Sequence, residues 1–193
     1  MTTEHAHTTP SPAGKERRGR PRRAGAAPDN RPVAERVAMA LETLAARADP
    51  AALAGMARYG IATARAYGVP MPVLRAMARD LGRDHDLALA LWDTGAREAR
   101  LLATMVDVPA RVTVEQMERW VAAFDSWDLC DGCCGNLFVR TPHAWEMATT
   151  WSAREEEFVK RAGFVLMAAL AVHDKRAPDE QFLLPRLHPA RGG

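Results

Sequence analysis

A tryptophan and a carboxylate one helical turn apart are the residues of this chain best suited to chemistry. They lie in the stretch Ser126-Trp127-Asp128-Leu129-Cys130-Asp131. Trp127 and Asp131 are four residues apart, so a helix puts them on one face, whereas Asp128 points elsewhere. An indole offers a wide π surface that attracts cations. A carboxylate is ionised near neutrality unless its surroundings are apolar. An aromatic face beside an anion suits a cationic ligand. On packing grounds alone the same spacing also fits a core Trp with a helix-surface Asp, and that plainer arrangement is the commoner one.

Cys130, Cys133 and Cys134 fall within five residues, and the chain has no other cysteine. This is not a disulfide framework, and it suits a reducing cytoplasm. Cys-x-x-Cys-Cys resembles half a zinc site, but a structural zinc takes four ligands, usually from a second pair. The nearest histidine is His143, and no second pair follows. The expectation is cysteines packed as small hydrophobes, with no metal and no cofactor. A nucleophilic cysteine served by His143 or His173 lacks any local signature. His85, between Asp84 and Asp86, reads as a solvated helix start. Arg154-Glu155-Glu156-Glu157 reads as a solvated first turn, which also suits a helix dipole.

Near the N-terminus, Arg17-Arg18-Gly19-Arg20-Pro21-Arg22-Arg23 resembles an AT-hook, whose core is Gly-Arg-Pro between basic residues. Such an extended segment fits a narrow A·T minor groove. A generic basic tail drawn to phosphates explains it equally well. Either way Arg18, Arg20 and Arg22 are DNA-binding candidates. The net charge of +2 hides an asymmetry, since residues 1–32 carry +4 and residues 33–193 carry −2. A DNA-binding surface on the body must therefore be a local patch.

The elements that would position these groups are helices. Residues 1–32 hold five prolines and almost no large apolar side chain, and read as a disordered tail. Helical spacing begins with Val33, Val37, Leu41 and Leu44. Asp49-Pro50 caps and opens a second helix. Pro70 and Pro72 open a third, with Leu74, Met77, Ala78 and Leu81 on one face and Gly82 as its stop. A fourth runs over 84–93 and a fifth over 96–106. Thr113 with Gln116 forms a capping box ahead of Met117, Trp120, Val121 and Phe124. The seventh helix, over 126–140, carries the Trp-Asp pair. An eighth starts at Thr141-Pro142. Ser152 with Glu155 forms a second box, opening a long helix with Phe158, Ala162, Val165, Leu166, Ala169 and Leu170. A last short helix follows Asp179 and ends at Pro185. No stretch alternates as a strand does. Short helices in about five successive pairs fit an α-solenoid; an irregular helical bundle fits the periodicity about as well.

Four segments tip the balance. They are Gly55-Met56-Ala57-Arg58-Tyr59-Gly60; Val69-Pro70 with Leu74-Arg75, then Leu91-Trp92 and Glu98; Trp127-Asp128-x-x-Asp131; and Phe158-Val159-Lys160-Arg161-Ala162. Their order and spacing over roughly residues 35–185 resemble the AlkD-like DNA alkylation repair family. The resemblance implies an all-α solenoid of stacked antiparallel, HEAT-like helix pairs over residues 33–185, with residues 186–193 as a disordered tail. It implies that Trp127 and Asp131 line a DNA-facing cleft as the catalytic pair, that Arg161 contacts the DNA backbone, and that Tyr59 borders the cleft. On packing grounds a salt bridge to Glu157 is the plainer alternative for Arg161, less favoured than the phosphate role, and Tyr59 equally fits a half-buried tie between two helices. The implied reaction hydrolyses the N-glycosidic bond of N3- or N7-alkylated purines in duplex DNA. The base is already cationic and leaves readily. A fixed carboxylate then stabilises positive charge developing on the sugar and positions water.

One departure stands against that resemblance. The family continues into a further helical pair that supplies a second cleft tryptophan, and nothing after Phe182 resembles it. The expectation is a solenoid C-terminally truncated relative to the family, with Leu166, Leu170 and Phe182 less covered than in a capped one. Two rival functions follow: a DNA-binding solenoid without turnover, and a protein-interaction scaffold. Hydrophobic residues make up 48% of the chain, typical of a globular protein. No apolar run has the length of a membrane span, and no secretory signal opens the chain. The expected setting is cytoplasmic and nucleoid-associated, with alkylated duplex DNA as partner, no membrane and no obligatory protein partner.

Overall fold

The computed structural model of the chain describes residues 29–173. The AT-hook arginines Arg18, Arg20 and Arg22, the helix expected after Asp179 and the tail 186–193 lie outside them. Among the described residues there are nine α-helices and no strand: α1 (Val33–Ala45), α2 (Pro50–Arg58), α3 (Met71–Leu81), α4 (His85–Asp93), α5 (Arg97–Val106), α6 (Val114–Val121), α7 (Trp127–Asn136), α8 (Ala144–Ser152) and α9 (Glu157–His173). Single 3-10 turns lie at Pro109–Arg111 and Phe138–Arg140.

The starts follow local chemistry. Asp49 accepts the amides of Ala51 and Ala52 in front of Pro50, and Asp84 accepts that of Leu87. Each satisfies donors that a helix N-terminus leaves free. Burial pushes the Asp84 carboxyl up, but the Leu87 amide and the Arg36 guanidinium outweigh it, so its pKa is lowered. Thr113 accepts the Gln116 amide, but the Gln116 side chain does not reach back to close the box. It donates instead to Asp107, at 2.7 Å.

Three local features differ from expectation. α7 stops at Asn136 rather than running to 140. Leu137, Phe138 and Val139 are all buried, and a continuing helix would splay three successive side chains around its axis. The 3-10 turn sends them into the core. The second capping box does not form, because Ser152 ends α8 and its hydroxyl donates to the Thr149 carbonyl at 2.9 Å. Residues 153–156 make the reversal into α9, with Arg154 paired to Glu156 at 2.5 Å and Glu118 at 3.5 Å. His85 does open a helix, but it is buried, with Nδ1 2.6 Å from Asp107 Oδ1. Asp107 is fully buried and also takes the Val108 amide, so a buried carboxylate draws the imidazole inward.

The helices form two layers. α3, α5, α7 and α9 pack successively into a row, with α4 backing α5 and α8 backing α9, while α1 packs on α4. Aromatic rings tie the second layer together. Trp92 of α4 stacks on Trp120 of α6, with centroids 3.9 Å apart and planes within 2°. Trp120 leads to Phe138 and Phe138 to Trp151 of α8, whose indole N–H donates to Glu118 of α6 at 2.7 Å. Such pairs contribute about 0.5–1.5 kcal/mol each beyond the area they bury. Leu166 and Leu170 are buried, contrary to the expectation that they would be under-covered. α9 turns that face onto α7 and α8, and its exposed large apolar residues are Phe164 and Val172.

The α8–α9 contact depends on Gly163. A Cβ there would lie 2.3 Å from the Ser152 nitrogen and 2.8 Å from two further backbone atoms of α8. Backbone cannot yield as a side-chain tip can, so Gly163→Ala forces the helices apart. Overpacking of this kind costs about 1–3 kcal/mol. The expected outcome is a melting temperature lower by roughly 5 °C, read by circular dichroism.

Candidate nucleic-acid interface

α7 lies inside the row, between α5 and α9. It has one face for each neighbour and a third left open. Towards α9 it presents Cys130 and Cys134, whose thiols donate to the carbonyls of Phe158 and Ala162, both at 3.7 Å. All three cysteines are fully buried. Burial pushes the Cys133 thiol up, and the Cys130 contact together with burial does so for Cys134. Neither thiol is poised as a nucleophile. Towards α5, Asp128 accepts from the Arg97 guanidinium through Nε at 2.8 Å and through Nη2, and Asn136 donates to Thr104 at 3.0 Å. Asp128 thus belongs to the helix interface.

The open face carries Trp127 and Asp131. Trp127 is 39% exposed, and its indole N–H donates to the Tyr59 carbonyl at 2.7 Å. That bond fixes the ring while leaving π surface free. Asp131 is gripped side-on by Arg161 of α9, with Nε at 2.9 Å and Nη2 at 2.8 Å. The Asp131 bond raises the Arg161 pKa above its ordinary value. A bidentate pair of this geometry is among the stronger polar contacts, and it leaves both partners chemically usable. A carboxylate has about four lone-pair sites, of which the guanidinium takes two, and three of the five guanidinium N–H groups remain.

The four residues expected in the cleft are thus brought together, with two adjustments. Arg161 pairs with Asp131 rather than Glu157, because it faces α7 across the helix contact. Tyr59 ties α2 to α7 through its backbone, whereas its side chain is 74% exposed and free to meet a ligand.

The support behind Trp127 was not foreseen. Glu98 of α5, fully buried, accepts the amides of Tyr67 and Gly68, both at 2.9 Å, and the Arg97 guanidinium at 3.2 Å. This clamps the segment between Tyr59 and α3 onto the row. Gly68 is obligatory in the clamp, since its φ is +77° and a Cβ would lie 2.4 Å from the Asp49 carbonyl oxygen. Arg97 joins the clamp to Asp128, one residue after Trp127. Beside it, Arg65, Arg97, Arg100 and Asp125 line a pocket of about 310 Å³. Glu98 stood in one of the segments carrying the family resemblance, but nothing local told its role, since its backbone partners are 31 and 30 residues away.

The match with known proteins decides the family. A model described as DNA alkylation repair enzyme matches residues 40–184. The chain belongs to the DNA alkylation repair enzyme family. In fold it resembles a solved structure described as a new family of proteins related to the HEAT-like repeat DNA glycosylases with affinity for branched DNA structures. The TM-score is 0.64 at 18% identity, over 75% of this chain and 60% of that one. This bears out the all-α solenoid of HEAT-like pairs. Uncharacterized proteins of Listeria monocytogenes and Listeria innocua are 24% and 25% identical over 123 residues, 62% of this chain. The chain spans about half the length of these relatives, 54%.

Glu98→Ala leaves two backbone amides without acceptors, and each unsatisfied buried donor costs about 1–3 kcal/mol. The expected outcome is a lower melting temperature together with new proteolytic cleavage between Tyr59 and Val69. Cleavage confined to other segments would place the clamp's role elsewhere.

Proposed function

We propose that this protein is a DNA repair glycosylase that hydrolyses the N-glycosidic bond of cationic N3- or N7-alkylated purines in duplex DNA. The observation that carries the reading is the open face of α7, where an exposed indole, an oriented carboxylate and a guanidinium with spare donors meet. The three roles follow from charge. Arg161 bonds a phosphate oxygen with its remaining N–H groups. The Trp127 ring lies against the sugar and sheds water from it. As the cationic base departs with the bonding electrons, positive charge grows on the deoxyribose. Asp131 stabilises it and accepts a hydrogen bond from the water that attacks the anomeric carbon. Tyr59 borders the DNA. The setting is cytoplasmic, at the nucleoid, and Arg18, Arg20 and Arg22 of the tail add phosphate contacts.

A second reading, DNA binding without turnover, draws on one observation: Arg161 already offsets the charge of Asp131, leaving less for a developing cation. The structural neighbour described by its affinity for branched DNA is consistent with it.

Duplex containing 7-methylguanine, incubated with the full chain and assayed for free base, separates the two. Asp131→Asn keeps the volume and removes the charge. The expected loss is on the order of 10²–10³ in the rate of base release, with duplex affinity little changed. An Asp131→Asn rate equal to that of wild type removes the carboxylate from the mechanism. No base release by wild type, with tight binding retained, favours the second reading.

A further inference from the structure

At the C-terminal ends of α3, α5 and α7, away from Trp127 at the start of α7, a groove of about 450 Å³ is lined by Arg75, Ala78, Arg79, Gly82, Arg83, Met105, Asn136 and Arg140. Four of the eight are arginines, and no carboxylate is among them. We propose that this groove is a second DNA-backbone site, taking phosphodiesters of the duplex; this rests on DNA being the partner.

The four arginines divide by role. Arg83 donates to the Asp107 carbonyl just past the end of α5. Arg140 donates to the carbonyls of Gly135, at 2.9 Å, and Asn136 at the end of α7. These two cap helix C-termini, as cations there commonly do. Arg75 and Arg79 are one turn apart on α3 and exposed, and among the described residues neither has an ion-pair or hydrogen-bond partner. The ends of α3, α5 and α7 each bring about half a negative charge to the groove. Arg83 and Arg140 offset these, so the charge of Arg75 and Arg79 remains for a ligand. Arginine suits a phosphate through its planar fork of donors. No aromatic side chain lines the groove, so it offers bases nothing to stack on.

The test is fluorescence anisotropy of the full chain on an undamaged duplex over a salt series. Arg75→Gln/Arg79→Gln is compared with Arg47→Gln/Arg119→Gln, which removes the same charge from exposed positions elsewhere. The groove pair is expected to weaken binding on the order of tenfold and to flatten the log-log salt slope by about 1.8, or two phosphates' worth. The control pair leaves the slope nearly unchanged, and Arg75→Lys/Arg79→Lys restores most of it. If the double variant fails to melt with wild type, the single variants each carry half the expected slope change. Equal effects of the groove and control pairs overturn the site. So does micromolar binding of inorganic phosphate that depends on Arg75 and Arg79, which marks a free-anion pocket instead. An Arg161→Ala defect with a silent groove pair leaves the proposed function standing and removes this inference. A wild-type chain that binds no duplex removes both.

Discussion

The buried carboxylate of Glu98 is the contact on which the arrangement of this protein turns. A charge taken fully out of water is tolerated only when hydrogen bonds replace its hydration. Here the amides of Tyr67 and Gly68 and the Arg97 guanidinium do so. The same bonds satisfy two amides of a loop that has no helix or sheet to pair with. Because Arg97 also holds Asp128, the stabilisation spreads from the α2–α3 connection through α5 to the first turn of α7. Trp127 and the Tyr59 carbonyl that fixes it lie at the two ends of this chain of contacts. A site face built on packed helices, with a locked loop behind it, needs little rearrangement to meet a ligand.

The interface has to attract a polyanion although residues 33–193 are net negative. The answer lies in where the acids go. Glu98, Asp107 and Asp128 are spent inside, on amides, His85 and Arg97. Glu118 and Glu156 are spent on Arg154 and Trp151, at the α6–α8 side. Arginines stay on the surface at two places: Arg161 beside Asp131, and Arg75 and Arg79 in the groove that Asn136 also lines. Local potential, which governs phosphate binding, is thus separated from net charge.

Much of this was legible in the sequence, for physical reasons that can be named. Helix starts at Asp49-Pro50, Asp84 and Thr113 were readable because capping is local chemistry. The shared face of Trp127 and Asp131 followed from a four-residue spacing. What failed to read depended on distant partners. Gln116 abandons its capping box for Asp107, nine residues earlier, and His85 turns inward to the same carboxylate. The Ser152-Glu155 signature was overridden by the reversal that brings Gly163 against α8. Arg161 chose Asp131, 30 residues away, over Glu157 on its own helix. Spacing along one element cannot report such choices, because they are made between elements.

The Glu98 clamp is a stable part of the fold and holds the Trp127 face ready. Hydrogen exchange at the Tyr67 and Gly68 amides and the Trp127 indole N–H, followed residue by residue by NMR, tests it most directly. The two amides, though outside any helix, are expected to exchange as slowly as the core amides of α5, and Glu98→Ala is expected to speed both them and the indole N–H. Exchange of Tyr67 and Gly68 at the rate of an open loop, with the indole N–H indifferent to Glu98→Ala, would contradict it.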